Sequence, residues 1–279
     1  MTQAAMKRCA VLGTPVEHSL SPVIHTRAYE VLGLADQWHY ERHQIDIPQL
    51  GDFVAGCGPE WVGLSCTAPL KAEVLRMGEP SATARTLDSA NTIVFNHEGG
   101  PNLVENTDVT GLTGMLARVG VTEARTAMLV GNGATARSTL YALAQLGVDA
   151  VLVLARSADK ARESLDGLAK TLGIRWEVAP WGTVPDHDAV DILVSTVSAE
   201  LPAGVADALI GLTRVSFEAT YNSYPSQFDV AARAAGITQL SGIDLLVGQA
   251  LDQIRLMTGR SCAPEPLLDV AYGALAATS

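Results

Sequence analysis

Lys71 closes the run Ser65-Cys66-Thr67-Ala68-Pro69-Leu70-Lys71, and Asp108 closes Glu105-Asn106-Thr107-Asp108. A lysine and an aspartate set among hydroxyl and amide side chains suit proton exchange on a polar ring. An ammonium can stabilise charge growing on a ketone oxygen and deliver a proton there, while a carboxylate holds the ammonium in place. Pro69 signals a helix start and puts Lys71 in the first turn, where a cation is electrostatically ill-placed. The bland alternatives are a solvated surface lysine and an aspartate that merely caps a helix. Two further segments are rich in polar side chains. In Gly13-Thr14-Pro15-Val16-Glu17-His18-Ser19-Leu20-Ser21-Pro22, Ser19 and Ser21 stand near a helix start, where hydroxyls and backbone amides can converge on a carboxylate. Simple capping, with Ser21 as N-cap and Pro22 as first helical residue, explains them equally well. Ser89-Ala90-Asn91-Thr92 is the other segment, and a hairpin around residues 96–100 brings it to the same side as residues 105–108.

A different chemistry is written in the middle of the chain. The strand-like run Thr126-Ala127-Met128-Leu129-Val130 leads into Gly131-Asn132-Gly133-Ala134-Thr135-Ala136, then a helical stretch with Leu140, Leu143 and Ala144 on one face, then a second strand at Ala150 to Ala155. Gly131-x-Gly133-x-x-Ala136 fits the dinucleotide fingerprint: a tight turn, a close approach of pyrophosphate to backbone, and a small residue for helix–strand packing. A carboxylate about 20 residues further on would mark NAD. Here the second strand ends in Ala155-Arg156-Ser157, with Lys160 three residues later, a set that suits the 2′-phosphate of NADP and that a carboxylate would not. The plain alternative is a basic helix start capped by Ser157.

These segments need a scaffold, and the rest of the text supplies one. The 279 residues are 48% apolar, enough for one large core or two modest ones. Short β-like runs alternate with helical stretches, which predicts an α/β protein. The boundaries read as a domain at 1–109, a Rossmann-like nucleotide domain at 110–238, and helices at 239–279 that return to the first domain. A helix carrying Leu112, Met115, Leu116 and Val119 follows Asp108. The formal charge of −11 argues against a nucleic-acid or anionic-membrane surface. Cys9, Cys57, Cys66 and Cys262 form no CxxC pair and the histidines no HExxH, so no metal site is expected. With no long apolar run and no signal-like N-terminus, the expected compartment is the cytoplasm.

Taken in order, the segments resemble the shikimate dehydrogenase family across nearly the whole chain. Gly13 to Pro22 matches its GxPxxHSxSP stretch, Ser65 to Lys71 its NVTxPxK stretch, Ser89 to Thr92 its GAxNT stretch and Asn106 to Gly111 its NTDxxG stretch. Tyr221-Asn222-Ser223 resembles its YNP turn, and Gly242 to Gln249 its late GxxMLVxQ stretch. The resemblance implies reduction of 3-dehydroshikimate to shikimate with NADP, in a substrate domain and a Rossmann-like domain. It implies Lys71 as proton donor and acceptor paired with Asp108. Ser19, Ser21 and Tyr221 would hold the substrate carboxylate, and Thr67, Asn91, Asp108 and Gln249 the ring hydroxyls. Gly131, Asn132, Gly133, Ala134 and Thr135, with Arg156, Ser157 and Lys160, would hold NADP, and Ala219 and Gly242 would lie near the nicotinamide. The chain departs from the family at Ser65, where asparagine is usual, at Asn132 and Thr135, at Ser223 for proline and at Leu245 for methionine. The competing readings are an NAD-using quinate/shikimate dehydrogenase, against which Arg156-Ser157 argues, and a non-catalytic NADP-binding sensor, against which Lys71 and Asp108 argue. A homodimer is left open.

Overall fold

The computed structural model describes residues 5–221 and 224–277; Asn222 and Ser223, in the YNP-like turn, lie outside the described residues. The chain forms two compact units, one of residues up to Thr107 together with those from Leu246 onward, the other Asp108–Leu245.

In the first unit the elements run β1 (Lys7–Gly13), α1 (Ser21–Val31), β2 (Trp38–Gln44), α2 (Ile47–Ala55), β3 (Trp61–Cys66), a 3-10 helix at Leu70–Met77, β4 (Glu79–Pro80), α3 (Ala82–Leu87), β5 (Thr92–Val94) and β6 (Leu103–Glu105). The strands join in the order β2-β1-β3-β5-β6-β4. β1 pairs in parallel with β2 and β3, while β5 runs antiparallel to both β3 and β6. Alternation along β1 explains why the sheet is covered on both faces. Ala10 and Leu12 join a cluster with Leu64, Cys66, Ile93 and Val104, and Cys9 and Val11 join one with Tyr29, Trp38, Tyr40 and Met257. The expected hairpin is present as β5 and β6, with Thr92 opposite Glu105.

Helix α4 (Thr107–Arg118) opens at the boundary between the units. The second unit continues with β7 (Thr126–Val130), α5 (Ala134–Gln145), β8 (Ala150–Ala155), α6 (Ala158–Leu172), β9 (Arg175–Pro180), β10 (Val190–Ser195), α7 (Val205–Ile210), β11 (Thr213–Glu218), α8 (Gln227–Ala235) and β12 (Thr238–Leu240). Its strands are all parallel in the order β12-β11-β10-β7-β8-β9, the doubly wound arrangement, whose strand order reverses between β7 and β10. Helix α9 (Gly242–Thr258) and α10 (Glu265–Ala276) end the chain, and α10 lies against α1. Among the described residues no helix is long and apolar enough to cross a membrane, and no group of His, Cys, Asp or Glu is arranged to hold a metal.

Two helix starts differ from the sequence reading. Ser21 is the first residue of α1 and Pro22 the second; the N-cap position falls on Leu20, which has no side-chain cap, and the Ser19 hydroxyl accepts from the Ser21 amide at 3.3 Å. Asp108 is likewise the second residue of α4 and not its cap, so its carboxylate sits in the first turn, where the helix dipole favours it.

Gly63 and Gly114 offer opposite outcomes. A Cβ on Gly63 would lie 2.8 Å from both the Ile93 carbonyl oxygen and Met257 Cγ, and the β3–β5 ladder prevents retreat. Gly63→Ala is expected to cost about 1–3 kcal/mol. A Cβ on Gly114 meets nothing within 4 Å in the exposed middle of α4, so Gly114→Ala is expected to add about 0.5–1 kcal/mol. Thermal denaturation of the two variants, with melting temperatures moving in opposite directions, checks both.

His25 makes stability depend on pH. Its ring is buried, stacks on Tyr40 at 3.9 Å between centroids, and neither nitrogen has a well-formed hydrogen bond among the described residues. Burial drives its pKa from 6.5 down to about 3, with a smaller opposing influence from Gln253. Between those values the unfolded chain binds the proton and the folded chain does not. The His25 contribution is therefore fully present above pH 6.5 and is lost as pH falls toward 3, by up to about 1.4 kcal/mol per pH unit. In urea titrations from pH 7 to 4, His25→Phe should show a shallower decline than the parent chain.

Candidate functional site

The four polar segments of the first unit meet at one end of its sheet. β1 ends at Gly13 and β3 at Cys66, and the next residues cross-bond: Thr67 N–H donates to Leu12 O at 2.9 Å and Thr14 N–H to Ala68 O at 3.0 Å. Gly13 is required by this approach, because a Cβ there would fall 2.4 Å from Thr67 Cγ2. Cys66 N–H donates to Asn91 O at 2.7 Å and Asn91 N–H to Glu105 O at 3.0 Å, which adds the hairpin segments. The 3-10 helix is anchored where Ala90 N–H donates to Lys71 O at 2.8 Å. Asn91 then fixes the start of α4, its Oδ1 accepting from the Thr107 amide at 2.9 Å and the Thr107 hydroxyl at 3.1 Å. Asn106 Nδ2 donates to Ser89 O at 2.9 Å and adds a second tie between the same segments. Asp108 is the next residue along α4.

A buried polar chain underlies this end. Tyr40 Oη donates to Ser65 Oγ, and Ser65 Oγ donates to Gln253 Oε1, each at 2.7 Å. Gln253 Nε2 donates to Thr92 Oγ1 at 3.0 Å and to Thr107 Oγ1 at 3.4 Å, and Thr92 Oγ1 donates to Asn91 Oδ1 at 2.9 Å. Ser65 donates its proton inside this chain, so it supports the neighbouring segments. Gln253 was missed in the sequence, although it lies one helical turn after Gln249 on the same apolar helix. Gln249 is buried and donates from Nε2 to Leu246 O at 2.9 Å, which leaves Oε1 as the atom to take a hydroxyl. Lys71 is half-buried, and its charge is the one influence opposing the burial that drives the Cys66 thiol up to about 12.

In the second unit the corresponding end of the parallel sheet carries the nucleotide residues. Gly131 follows β7 with φ +111°, and a Cβ on it would lie 2.4 Å from Thr196 Oγ1, beyond the end of β10. The loop therefore sits where the strand order reverses, and only glycine meets both conditions. Gly133 is the N-cap of α5, with no side-chain cap and nothing within 4 Å of a would-be Cβ, and Ala136 is buried. The loop is braced from α6, where Ser164 Oγ donates to Asn132 O at 2.8 Å and Arg137 donates to Ser164 O. A glycine turn leading into a helix start is the arrangement that pyrophosphate-binding loops use. Asn132, Ala134 and Thr135 line the loop's exposed or half-buried rim, and Arg156 and Lys160 are exposed beyond β8. Ser157 caps α6, its Oγ accepting from Lys160 N–H at 3.3 Å, so the capping reading holds and its hydroxyl proton can still donate.

Beyond β11, Ala219 N–H donates to Ser195 O at 2.8 Å. A Cβ on Gly242 would lie 2.4 Å from Thr220 C and 2.8 Å from Tyr221 N, so Ala219, Tyr221 and Gly242 come together. Glu218, a residue the sequence did not single out, accepts from the Thr220 hydroxyl at 3.1 Å and from the Ser226 hydroxyl, spanning the turn that carries Tyr221. Burial raises the Glu218 carboxyl and, by the same cause, the Tyr221 phenol, which stays a neutral donor.

The pattern of the shikimate dehydrogenase substrate binding domain matches residues 11–93. The shikimate dehydrogenase (NADP(+)) of Methanothrix thermoacetophila is 31% identical over 261 residues, 91% of this chain and 92% of that one. The crystal structure of Mycobacterium tuberculosis shikimate dehydrogenase superposes with a TM-score of 0.83 at 36% identity, covering 98% of this chain and 100% of that one. The Thermus thermophilus shikimate 5-dehydrogenase, solved in complex with NADP(H) and shikimate, gives a TM-score of 0.81 at 27% identity over 96% of this chain and 100% of its own. Identity at that level over nearly the full length of both sequences settles descent: the chain belongs to the shikimate dehydrogenase family.

Proposed function

We propose that the chain catalyses the reversible NADP-dependent reduction of 3-dehydroshikimate to shikimate in aromatic amino acid biosynthesis, the first unit supplying most of the substrate contacts and the second holding NADP. The observation that carries this reading is the continuous set of bonds from Lys71 through Ala90 and Asn91 to Thr107, the residue before Asp108. It gives an ammonium and a carboxylate backbone positions fixed by the same strand end. The four cysteines are free, in keeping with a reducing cytoplasm.

NADPH, when bound, supplies the hydride. The chain's own groups do the rest. Lys71 donates its proton to the ketone oxygen as negative charge grows there and takes it back in the reverse direction. Asp108 orients the ammonium and accepts from the neighbouring hydroxyl. Ser19, Ser21 and the protonated Tyr221 phenol donate to the substrate carboxylate, neutral donors suited to a chain of net charge −11. Thr67, Gln249 Oε1 and the Asn91 amide group hold the ring hydroxyls, Asn91 Oδ1 being committed to Thr107 and Thr92. The α5 start with Gly131 to Thr135 holds the pyrophosphate, and Arg156, Ser157 and Lys160 hold the 2′-phosphate. Ala219 and Gly242, beside the Tyr221 turn, are the residues assigned to the nicotinamide, Gly242 being fixed as glycine by the Thr220 backbone packed against it.

Cofactor choice tests the second unit. The enzyme is expected to prefer NADP strongly over NAD, and Arg156→Ala to raise KM for NADP by the equivalent of about 1.5–3 kcal/mol while leaving that for NAD nearly unchanged. Steady-state assays of shikimate and quinate against both cofactors decide it. Equal activity with NADP and NAD in the parent enzyme would remove the assigned role of Arg156.

The chemistry tests the first. Lys71→Ala is expected to lower kcat at least about 10²-fold with a much smaller effect on shikimate binding, because Lys71 acts on charge that develops in the transition state. Asp108→Asn should also slow turnover, and the double variant should be little worse than the slower single one. Turnover within a few-fold of the parent in Lys71→Ala, with NADP binding intact, would end the mechanism.

A further inference from the structure

We propose that Trp181 is a positioning residue for 2′-phosphate recognition: its indole face holds the Arg156 guanidinium by the plane and leaves the donor edge to the phosphate. This rests on the assignment of Arg156 to NADP. Ala155 and Pro180 are partners in the β8–β9 ladder, and Trp181 N–H donates to Ala155 O at 3.0 Å, so Arg156 and Trp181 leave the sheet side by side. The guanidinium carbon lies 4.7 Å from the centre of the indole ring. Trp181 is half-buried and packs against the core cluster of Met128, Leu152 and Leu154. Its Nε1 is buried with no hydrogen-bond partner among the described residues. Packing and the cation therefore hold the ring, not a polar contact of its own.

The choice of partner matters chemically. Many arginines of this chain are paired with carboxylates, among them Arg8 with Glu41 and Arg175 with Asp149. Among the described residues no carboxylate pairs with Arg156. A carboxylate there would neutralise the cation and compete for the same N–H groups that a phosphate needs. An aromatic face attracts the cation through its quadrupole and uses none of the five N–H donors. It also restricts a long side chain that would otherwise lose rotamer freedom only on binding. The effect is selective by construction, since only a ligand with a 2′-phosphate uses Arg156.

Calorimetric binding of NADP+, NAD+ and adenosine 2′-monophosphate to the whole enzyme tests this without turnover. Trp181→Leu is expected to weaken NADP+ and adenosine 2′-monophosphate about 3- to 30-fold and leave NAD+ within about twofold. Trp181→Phe, which keeps an aromatic face and most of the packing, should retain affinity within about threefold and covers the case in which the leucine variant folds poorly. In an Arg156→Ala background, Trp181→Leu should have no further effect on NADP+. Equal losses for NADP+ and NAD+ in both Trp181 variants would overturn the proposal and make Trp181 a packing residue, and so would unchanged NADP+ binding in Trp181→Leu. Unchanged NADP+ binding in Arg156→Ala would overturn the assignment of Arg156 itself, and this proposal with it.

Discussion

Gln253 is wholly shut off from solvent, so its amide has to be satisfied by protein atoms, and the positions of those atoms follow from that demand. Its oxygen takes the Ser65 proton, and its nitrogen gives to Thr92 and Thr107. Those three residues stand at the end of β3, the start of β5 and the start of α4. Losing one partner in such a chain leaves buried polar groups unmet at about 1–3 kcal/mol each. A strand end, a hairpin and two helices are thus locked in one arrangement. Asn91 and the residues beside Lys71 and Asp108 inherit their positions from that lock. Ser65, where the resemblance leads one to expect asparagine, has a role inside this chain, accepting from Tyr40 and donating to Gln253.

The second unit solves its positioning problem without a buried polar chain. Parallel strands buried on both faces leave only their ends exposed, and the reversal of strand order places a crevice beyond the carboxyl ends of the paired strands β7 and β10. Gly131 fills the bottom of that crevice because the turn needs a positive φ and Thr196 leaves no space for a Cβ. The start of α5 follows directly, and Ser164 braces the loop from α6, held in turn by Arg137 of α5. Rigidity comes here from backbone geometry and side-chain braces, where the first unit uses a network of amides and hydroxyls.

Much of this was legible in the sequence. The βαβ unit around Gly131, the hairpin between Thr92 and Glu105, and the polar segments at strand ends all follow from local spacing and turn chemistry. The two helix starts came out displaced: α1 begins one residue early, with Ser21 inside the helix and its own amide donating to Ser19, and α4 begins two residues early, at Thr107. Contacts between distant residues were harder to see. Gln253 is 188 residues from Ser65, and nothing near either announces the other, although the i, i+4 relation to Gln249 marks Gln253 as a polar residue on an inward face. Nothing in the sequence around Trp181 pairs it with Arg156; only the register of β8 and β9 brings them together. Glu218 is an acid at the end of an apolar strand, and the two hydroxyls it spans come after it across a turn.

The discontinuity of the first unit bears on how the chain is made. During synthesis Ser65, Thr92 and Thr107 leave the ribosome long before Gln253, by roughly 10–40 s for the 188 residues that separate Ser65 from it at about 5–20 residues per second. Over that interval the N-terminal sheet lacks α9 and α10, and its central polar groups lack the amide that satisfies them. The second unit is encoded in one uninterrupted stretch, so all its strands are made before most of α9. Vectorial synthesis therefore favours completion of the nucleotide half first, and the half that carries Lys71 waits for the last helices. A nascent chain truncated before residue 246 would expose the underside of β1 and β3 to chaperones and proteases while its parallel sheet was already closed.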